Sequence, residues 1–129
     1  MEDVKEQKAI LEIKNLWRRK KMKIPLDEFI KWYLSQDKKC FYCGITEEEI
    51  KNLLDNGKLI TKRIKTRGRK LELDRKEPNL SYDNINNLVF SCYWCNNAKT
   101  DEFTTNEFKE VGQVFKKIWE KRKNGYCFN

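Results

Sequence analysis

Residues 92–101 read Cys-Tyr-Trp-Cys-Asn-Asn-Ala-Lys-Thr-Asp, and their Cys-x-x-Cys spacing occurs once more upstream, at Cys40-Phe-Tyr-Cys43. We call each Cys-x-x-Cys segment, Cys40–Cys43 and Cys92–Cys95, a knuckle. The four thiolates of two such knuckles can bind one tetrahedral Zn²⁺. Two paired motifs favour a shared metal site over a redox disulfide, which is the alternative interpretation. We therefore predict one structural zinc per chain, held by Cys40, Cys43, Cys92 and Cys95, with Cys127 as a non-ligand.

Composition indicates a folded, basic protein. The 129 residues carry 28 Lys and Arg against 20 Asp and Glu, contain no histidine, and have 39% hydrophobic residues, which is enough for one core. A net charge of +8 favours a polyanionic partner, above all nucleic acid, because each phosphate contact releases a counterion. No apolar run approaches the roughly eighteen residues of a membrane span, and the amino terminus is too polar for a secretory signal. We expect a cytoplasmic protein of a reducing compartment, of bacterial or phage type.

Apolar periodicity and capping boxes predict helices on both sides of the cysteine motifs. The predicted helices cover residues 4–21, 26–36, 46–55 and 104–122. The apolar face of the second helix includes Leu34, and that of the last helix includes Val111. We expect these faces to be buried.

A β-hairpin is predicted between the cysteine pairs. In Leu71-Glu-Leu-Asp-Arg75 the two leucines alternate with Glu72 and Asp74, so a strand would bury the leucines and leave Asp74 exposed at its end. Turn-forming residues at 78–84 lead to a returning strand at 88–90, and Cys92 opens a helix. The predicted fold is α+β, a small zinc-stapled hairpin-helix core surrounded by α-helices. We expect one domain, 1–129, made of N-terminal helices (1–36), the zinc-bound core (40–101) and a C-terminal helix (104–122).

A basic tract directly precedes the first predicted strand. Its segment, 58–70, is compatible with a strand or a loop. Phosphate contacts carry no base identity, so this tract would provide affinity rather than sequence choice. The predicted DNA contacts in it are Lys62, Arg63, Lys65, Arg67, Arg69 and Lys70.

Residues 40–101 resemble the HNH endonuclease family and its ββα-metal site. The family pattern has Asp-His at the end of the first strand, an Asn five residues before the second Cys-x-x-Cys, and Cys-Asn-x-x-Lys at the helix start. Asp74, Asn87, Asn96 and Lys99 match this pattern. The resemblance implies an endonuclease that hydrolyses DNA phosphodiester bonds, with double-stranded DNA as partner and a homodimer compatible with cutting both strands.

The same resemblance implies roles for the matched residues. Asp74 and Asn96 would bind one catalytic Mg²⁺ or Mn²⁺, Asn87 would tie the hairpin loop together, and Lys99 would contact DNA. Arg75 stands where the family has its general-base histidine. Its guanidinium stays protonated, so it cannot accept a proton from water, but it can clamp a phosphate oxygen.

The identity of the general base stays open at this point. Restriction-type HNH nucleases include a similar Asp-Arg branch with a tyrosine as base, which makes Tyr42 a candidate catalytic residue. Its alternative role is aromatic packing beside the zinc knuckle. Glu72, or a hydroxide on the ion, is another acceptor. Two other functions are also open: a catalytically inactive, zinc-organised DNA-binding module on the same scaffold, and a zinc-stabilised protein-interaction domain.

Overall fold

The computed structural model describes residues 2–60 and 68–125. Within them the predicted α+β class is confirmed, because five helices accompany one antiparallel hairpin. The elements are α1 (Glu2–Arg19), α2 (Leu26–Ser35), α3 (Glu47–Asp55), β1 (Glu72–Arg75), a 3₁₀ turn (Ile85–Asn87), β2 (Leu88–Ser91), α4 (Tyr93–Lys99) and α5 (Thr105–Lys123). Five residues with predicted roles, Lys62, Arg63, Lys65, Arg67 and Cys127, lie outside the described residues.

The connection between α1 and α2 is fixed by an indole. α1 ends at Arg19, and Lys21 takes a φ of +51°, the left-handed conformation that often closes a helix. The Trp17 Nε1 then donates to the Ile24 carbonyl at 2.7 Å. This hydrogen bond holds the basic end of α1 against the start of α2.

α2 packs on the hairpin through its aromatic residues. Tyr33 makes an edge contact with Phe90 of β2, with ring centroids 4.8 Å apart, and Trp32 lies 5.5 Å from the same ring. Phe29 is completely buried beside them. Leu34 is exposed, so its predicted place in the buried face is wrong, because the contact with Phe90 turns this position toward solvent.

Both predicted capping boxes are present. In α3 the Thr46 hydroxyl accepts from the Glu49 amide at 3.0 Å, and the Glu49 carboxylate accepts from the Thr46 amide at 3.1 Å. Thr104 and Glu107 make the same pair of hydrogen bonds at the start of α5. Each box satisfies two amides that a helix start leaves without partners, and it fixes the first residue of the helix.

The hairpin pairs β1 with β2 so that Leu73 is opposite Phe90 and Asp74 is opposite Val89. Leu73 is buried as expected, but Asp74 is only 7% exposed, so the prediction of an exposed carboxylate is wrong. The alternation of apolar and polar residues indicated a solvent face there. Tertiary packing covers that face instead, with Tyr42 on one side and Lys99 of α4 on the other.

α5 closes the core over the first cysteine knuckle. Its buried residues are Thr105, Phe108, Gly112 and Trp119, whereas Val111 is exposed, contrary to prediction. Gly112 makes the closest approach: a Cβ at this position would lie 2.5 Å from the Tyr42 carbonyl oxygen. The helix therefore reaches the knuckle only because this residue has no side chain.

Gly112→Ala is expected to destabilise the protein by roughly 1–2 kcal/mol. Overpacking costs about 1–3 kcal/mol, and the better helix propensity of alanine returns up to about 1 kcal/mol. Urea denaturation measures the difference. The control is Gln113→Ala, at an exposed position next along the helix, where the expected change is within about 0.5 kcal/mol. Equal stability of the two variants would contradict the close packing.

Buried residues from α1, α2, α3, the hairpin and α5 form one continuous core that includes the four cysteines of the knuckles. The organisation of residues 1–129 as one domain stays a prediction. Of the helices in 2–60 and 68–125, none combines the length and apolar character needed to cross a bilayer.

Candidate functional site

The four cysteines of the two knuckles meet at one buried point. Their Sγ atoms all lie within 4.8 Å of one another, and Cys43 and Cys92 are 3.7 Å apart. A tetrahedral zinc with Zn–S bonds of about 2.3 Å requires sulfur atoms about 3.8 Å apart, so the cluster fits this ion. Among the described residues no other group of three or more Cys, Asp or Glu ligands converges in this way. The cluster indicates a structural zinc site.

Hydrogen bonds to sulfur support the thiolate form of the ligands. The backbone amide of Cys95 donates to the Cys92 Sγ at 3.3 Å, and the indole of Trp119 in α5 donates to the Cys43 Sγ at 3.3 Å. Donors of this kind orient metal ligands and stabilise their negative charge.

The first knuckle also depends on a glycine. The Gly44 φ of +76° lets the chain turn directly after Cys43.

Strand β1 and helix α4 face each other through polar contacts of two α4 side chains, Asn96 and Lys99. Asn96 donates its amide to Glu72 at 2.8 Å, and one helical turn later Lys99 donates to the Arg75 carbonyl at 2.9 Å. Lys99 also pairs with Asp74, at 3.3 Å to Oδ2. The hairpin-helix thus brings Glu72 and Asp74, two residues apart on β1, against the face of α4 that carries Asn96 and Lys99.

Asp74 lies in a buried polar network. Its Oδ2 accepts a 2.5 Å hydrogen bond from the Tyr42 hydroxyl, which is also 3.3 Å from the hydroxyl of Thr105. Thr105 in turn donates to the Lys76 carbonyl through both its amide and its hydroxyl. Burial raises the pKa of the Tyr42 phenol above its ordinary value, and the hydrogen bond to Asp74 is the second largest cause of this rise. The Tyr42 phenol therefore stays protonated and donates a hydrogen bond to the Asp74 carboxylate.

Arg75 lies at the edge of this network. Its guanidinium pairs with Asp101 at 3.1 Å, donates to the Leu80 carbonyl at 3.4 Å and lies 5.0 Å from the centre of the Tyr82 ring. The Asp101 side chain is 88% exposed, so the ion pair is of the solvent-screened kind that contributes little energy. An incoming anion can replace Asp101 at small cost.

Asn87 closes the hairpin loop. Its side-chain oxygen accepts from the Glu77 amide at 2.9 Å, and its side-chain nitrogen donates to the carbonyls of Glu77 and Ser81. The three hydrogen bonds span the loop from both ends. They fix the turn that returns the chain from β1 to β2.

The predicted DNA contacts within the described residues differ in exposure. Arg69 and Lys70 are exposed, and Lys70 forms an ion pair with Glu12 at 3.3 Å. Lys99 is only 1% exposed, and its ammonium is held by Asp74 and the Arg75 carbonyl. This burial weighs against the predicted DNA contact and favours a role for Lys99 in holding Asp74.

Two residues of this site, Thr105 and Asp101, make contacts that no sequence pattern predicts. Thr105 follows the N-cap residue of α5, which predicts its place in a helix but not its contact with Tyr42. Asp101 lies in the turn between α4 and α5, 26 positions from its partner Arg75. Both contacts join segments whose relative position depends on the zinc knuckles and on the packing of α5.

No protein-family model matches the sequence, and no curated protein matches it. The structure, however, is similar to that of the rare-cutting HNH restriction endonuclease PacI, with a TM-score of 0.64. The similarity covers 88% of this chain and 78% of PacI, at 24% sequence identity. The chain has the HNH fold. This result confirms the resemblance at the level of structure.

In this HNH fold the zinc ligands and the hairpin-helix form one unit. Cys92 is the N-cap residue of α4, and Cys95 lies in its first turn, directly before Asn96. The cysteine cluster therefore sets the position of α4 against β1. The four-cysteine cluster fits the zinc-stapled type of HNH fold.

Proposed function

We propose that this protein is a metal-dependent HNH endonuclease that hydrolyses phosphodiester bonds in DNA. The observation that carries the proposal is the juxtaposition of Asp74 on β1 with α4, whose first turn is fixed by the cysteine cluster and presents Asn96. The HNH fold supports this assignment, since PacI is described as a restriction endonuclease that perturbs DNA.

The side chains of the site have the chemistry of a hard-cation site. Mg²⁺ and Mn²⁺ prefer oxygen ligands and commonly take one or two of them from the protein. A carboxylate can only accept hydrogen bonds, so the Asn96 group facing Glu72 is its NH₂, which leaves the amide oxygen available to a cation. On Asp74, Oδ2 accepts the 2.5 Å hydrogen bond from Tyr42 and lies 3.3 Å from the Lys99 ammonium. Oδ1 accepts a longer hydrogen bond from Lys99, at 3.5 Å. Oδ1 of Asp74 and Oδ1 of Asn96 are the proposed ligand atoms.

The bound ion would neutralise negative charge that develops on the phosphate and on the departing oxygen. The protein's own groups orient the ligands before that step. Tyr42 and Lys99 hold the Asp74 carboxylate, and Glu72 holds the Asn96 amide. Such fixed polar groups lower the barrier because they need no reorganisation during the reaction.

Arg75 is proposed to clamp a non-bridging phosphate oxygen after exchanging Asp101 for the phosphate. Its planar fork of donors suits this contact. Tyr42, the predicted base, donates to Asp74 and has a raised pKa, so its contacts favour a positioning role over proton removal from water. Its role as the catalytic base stays a prediction.

The substrate proposed here is double-stranded DNA, and cutting of both strands is compatible with a homodimer. A reducing cytoplasm is the proposed location, because thiolate ligands must stay reduced to bind zinc. These assignments rest on the proposed nuclease activity and on the charge of +8.

Cleavage of supercoiled plasmid in the presence of Mg²⁺ or Mn²⁺ tests the proposal. Asn96→Ala is expected to lower the cleavage rate roughly 100-fold, because it removes one group that fixes the ion. Asn97, the exposed neighbour on α4, provides the matched control, and Asn97→Ala should cleave at the wild-type rate. Plasmid that stays intact with every metal tried, or equal rates for the two variants, would reject the assignment.

A DNA-binding module without cleavage is the second candidate function. The observation that favours it is the Lys99 ammonium on Asp74, which already compensates the charge that a divalent ion would neutralise. This candidate predicts salt-dependent binding with no turnover. Metal-dependent nicking that is lost in Asn96→Ala excludes it.

A further inference from the structure

A broad basic groove runs between the end of α1 and the start of β1. Its volume is about 1230 Å³, larger than the roughly 300–1,000 Å³ of pockets that bind small molecules. Five exposed cations line it: Arg18 and Arg19 at the end of α1, Lys20 directly after it, and Arg69 and Lys70 in the segment before β1. Two carboxylates, Glu12 and Glu72, also line the groove. The excess of positive charge makes it an anion-binding surface.

Most of this charge has no internal compensation. Within residues 2–60 and 68–125, Lys70 pairs with Glu12, but neither Arg18 nor Arg19 takes part in an ion pair. Neighbouring cations repel one another, and a groove of one sign concentrates the opposite charge. Arg18 and Arg19 therefore have unused capacity for an anion.

The groove leads to the proposed cleavage site. Glu72 and Asn96, which face each other across β1 and α4, line the same space as Arg18 and Arg19. A second connection runs through Tyr82: the Lys20 ammonium lies 4.8 Å from the centre of this ring, and the Arg75 guanidinium lies 5.0 Å from it. Positive charge thus continues from α1 to the proposed phosphate clamp.

The basic end of α1 is held in a fixed position relative to the hairpin. The Lys23 amide donates to the Asp83 carboxylate at 2.7 Å, which ties the turn after α1 to the hairpin loop. The hydrogen bond from Trp17 to Ile24 fixes the same turn from inside. A binding surface that is already ordered loses less entropy when the ligand arrives.

We propose that this groove binds the phosphodiester backbone of duplex DNA beside the cleavage site, with Arg18 and Arg19 as phosphate contacts. The inference rests on the proposed function for the identity of the polyanion. It adds α1 to the DNA interface, which the basic tract before β1 alone would not include. Because the contacts are to phosphate, they contribute affinity and register rather than base identity.

Salt-dependent DNA binding tests the inference. Fluorescence anisotropy with a labelled DNA duplex, in the absence of added Mg²⁺, measures binding without cleavage. Log K falls with log salt, and each lost phosphate contact reduces the steepness of that fall by about 0.9. Arg18→Gln with Arg19→Gln should therefore make the slope shallower by about 1.8. When salt rises from about 50 to about 200 mM, the affinity of both proteins falls. The fold-loss of the double variant should be roughly one twelfth of the fold-loss of the wild type.

The matched control is Lys5→Gln with Lys8→Gln, which removes two exposed charges from the same helix outside the groove. It should keep the wild-type slope. An unchanged slope in the arginine variant, an equal change in the lysine variant, or tighter binding of an RNA duplex than of the DNA duplex overturns the inference. Wild-type binding with the expected arginine effect but no cleavage under any metal supports the groove and rejects the nuclease.

Discussion

Removal of zinc is expected to unfold this protein. The cysteine cluster joins two knuckles that are 49 positions apart, and the sheet between them is one hairpin with two strands of four residues each. A two-stranded hairpin alone is at best marginally stable in water. Structural zinc contributes about 10–16 kcal/mol of binding free energy, which matches or exceeds the total stability of roughly 5–15 kcal/mol of an ordinary domain. Loss of the ion should therefore remove cooperative folding.

Cys95→Ser is the variant that measures this effect. Cys95 is completely buried in the cluster, so the variant should hold no tightly bound zinc and show no cooperative thermal transition by circular dichroism. Cys127→Ser removes a cysteine that we predict is not a ligand, and it should keep one zinc per chain and the wild-type melting temperature. A Cys95→Ser protein with one tightly bound zinc and an unchanged transition would contradict the four-cysteine assignment.

Asp74→Asn is expected to abolish cleavage, with a loss of about 1,000-fold or more. The substitution keeps the size of the side chain but removes the one charged ligand proposed for the catalytic ion. Loss of a single electrostatic group in an active site costs about 100- to 1,000-fold, and here the affinity for the ion falls as well. Plasmid cleavage across a range of Mn²⁺ concentrations measures both effects.

The same substitution has a structural consequence that needs its own control. Lys99 is 1% exposed, and without the Asp74 carboxylate its ammonium becomes a buried charge with no counter-ion, which costs about 3–5 kcal/mol. The double variant Asp74→Asn with Lys99→Met removes that charge and should regain stability while cleavage stays lost. Cleavage restored together with stability would show that Asp74 acts only through folding.

The two predictions separate the roles of the two proposed metal sites. Zinc loss should end both DNA binding and cleavage, because α4 and the knuckles lose their positions. The Asp74→Asn and Lys99→Met double variant should still bind DNA in a salt-dependent way, since the exposed cations of the groove do not change. A double variant that is folded and zinc-bound but no longer binds DNA would place Asp74 in recognition rather than in catalysis.

Local patterns predicted the elements of this fold well. Each capping box marks the start of its helix, and the alternation at 71–74 marks the first strand, because these signals depend only on neighbouring residues. The four-cysteine cluster was equally predictable. Two short Cys-x-x-Cys pairs are sufficient to indicate four converging thiolates wherever the intervening chain runs.

The periodicity of apolar residues predicted less reliably which side chains of a helix or strand are buried. Leu34 and Val111 fit the apolar faces of their helices but are exposed, and Asp74 fits a solvent face but is buried. For Leu34 and Asp74 the deciding packing partner comes from another part of the chain: Phe90 for α2, and Tyr42 together with Lys99 for Asp74. A local pattern cannot contain that information.

Short-range spacing and composition specify the cysteine cluster, the helix starts, the hairpin and the basic charge, so all four could be predicted from the sequence. Three further features depend on contacts between distant segments: Tyr42 and Lys99 hold Asp74, Glu72 orients Asn96, and the end of α1 reaches the site. These contacts join residues up to 60 positions apart, as between Lys23 and Asp83. They exist because the cysteine cluster and the core fix the separate segments against one another. An interaction between distant segments leaves no local periodicity to detect.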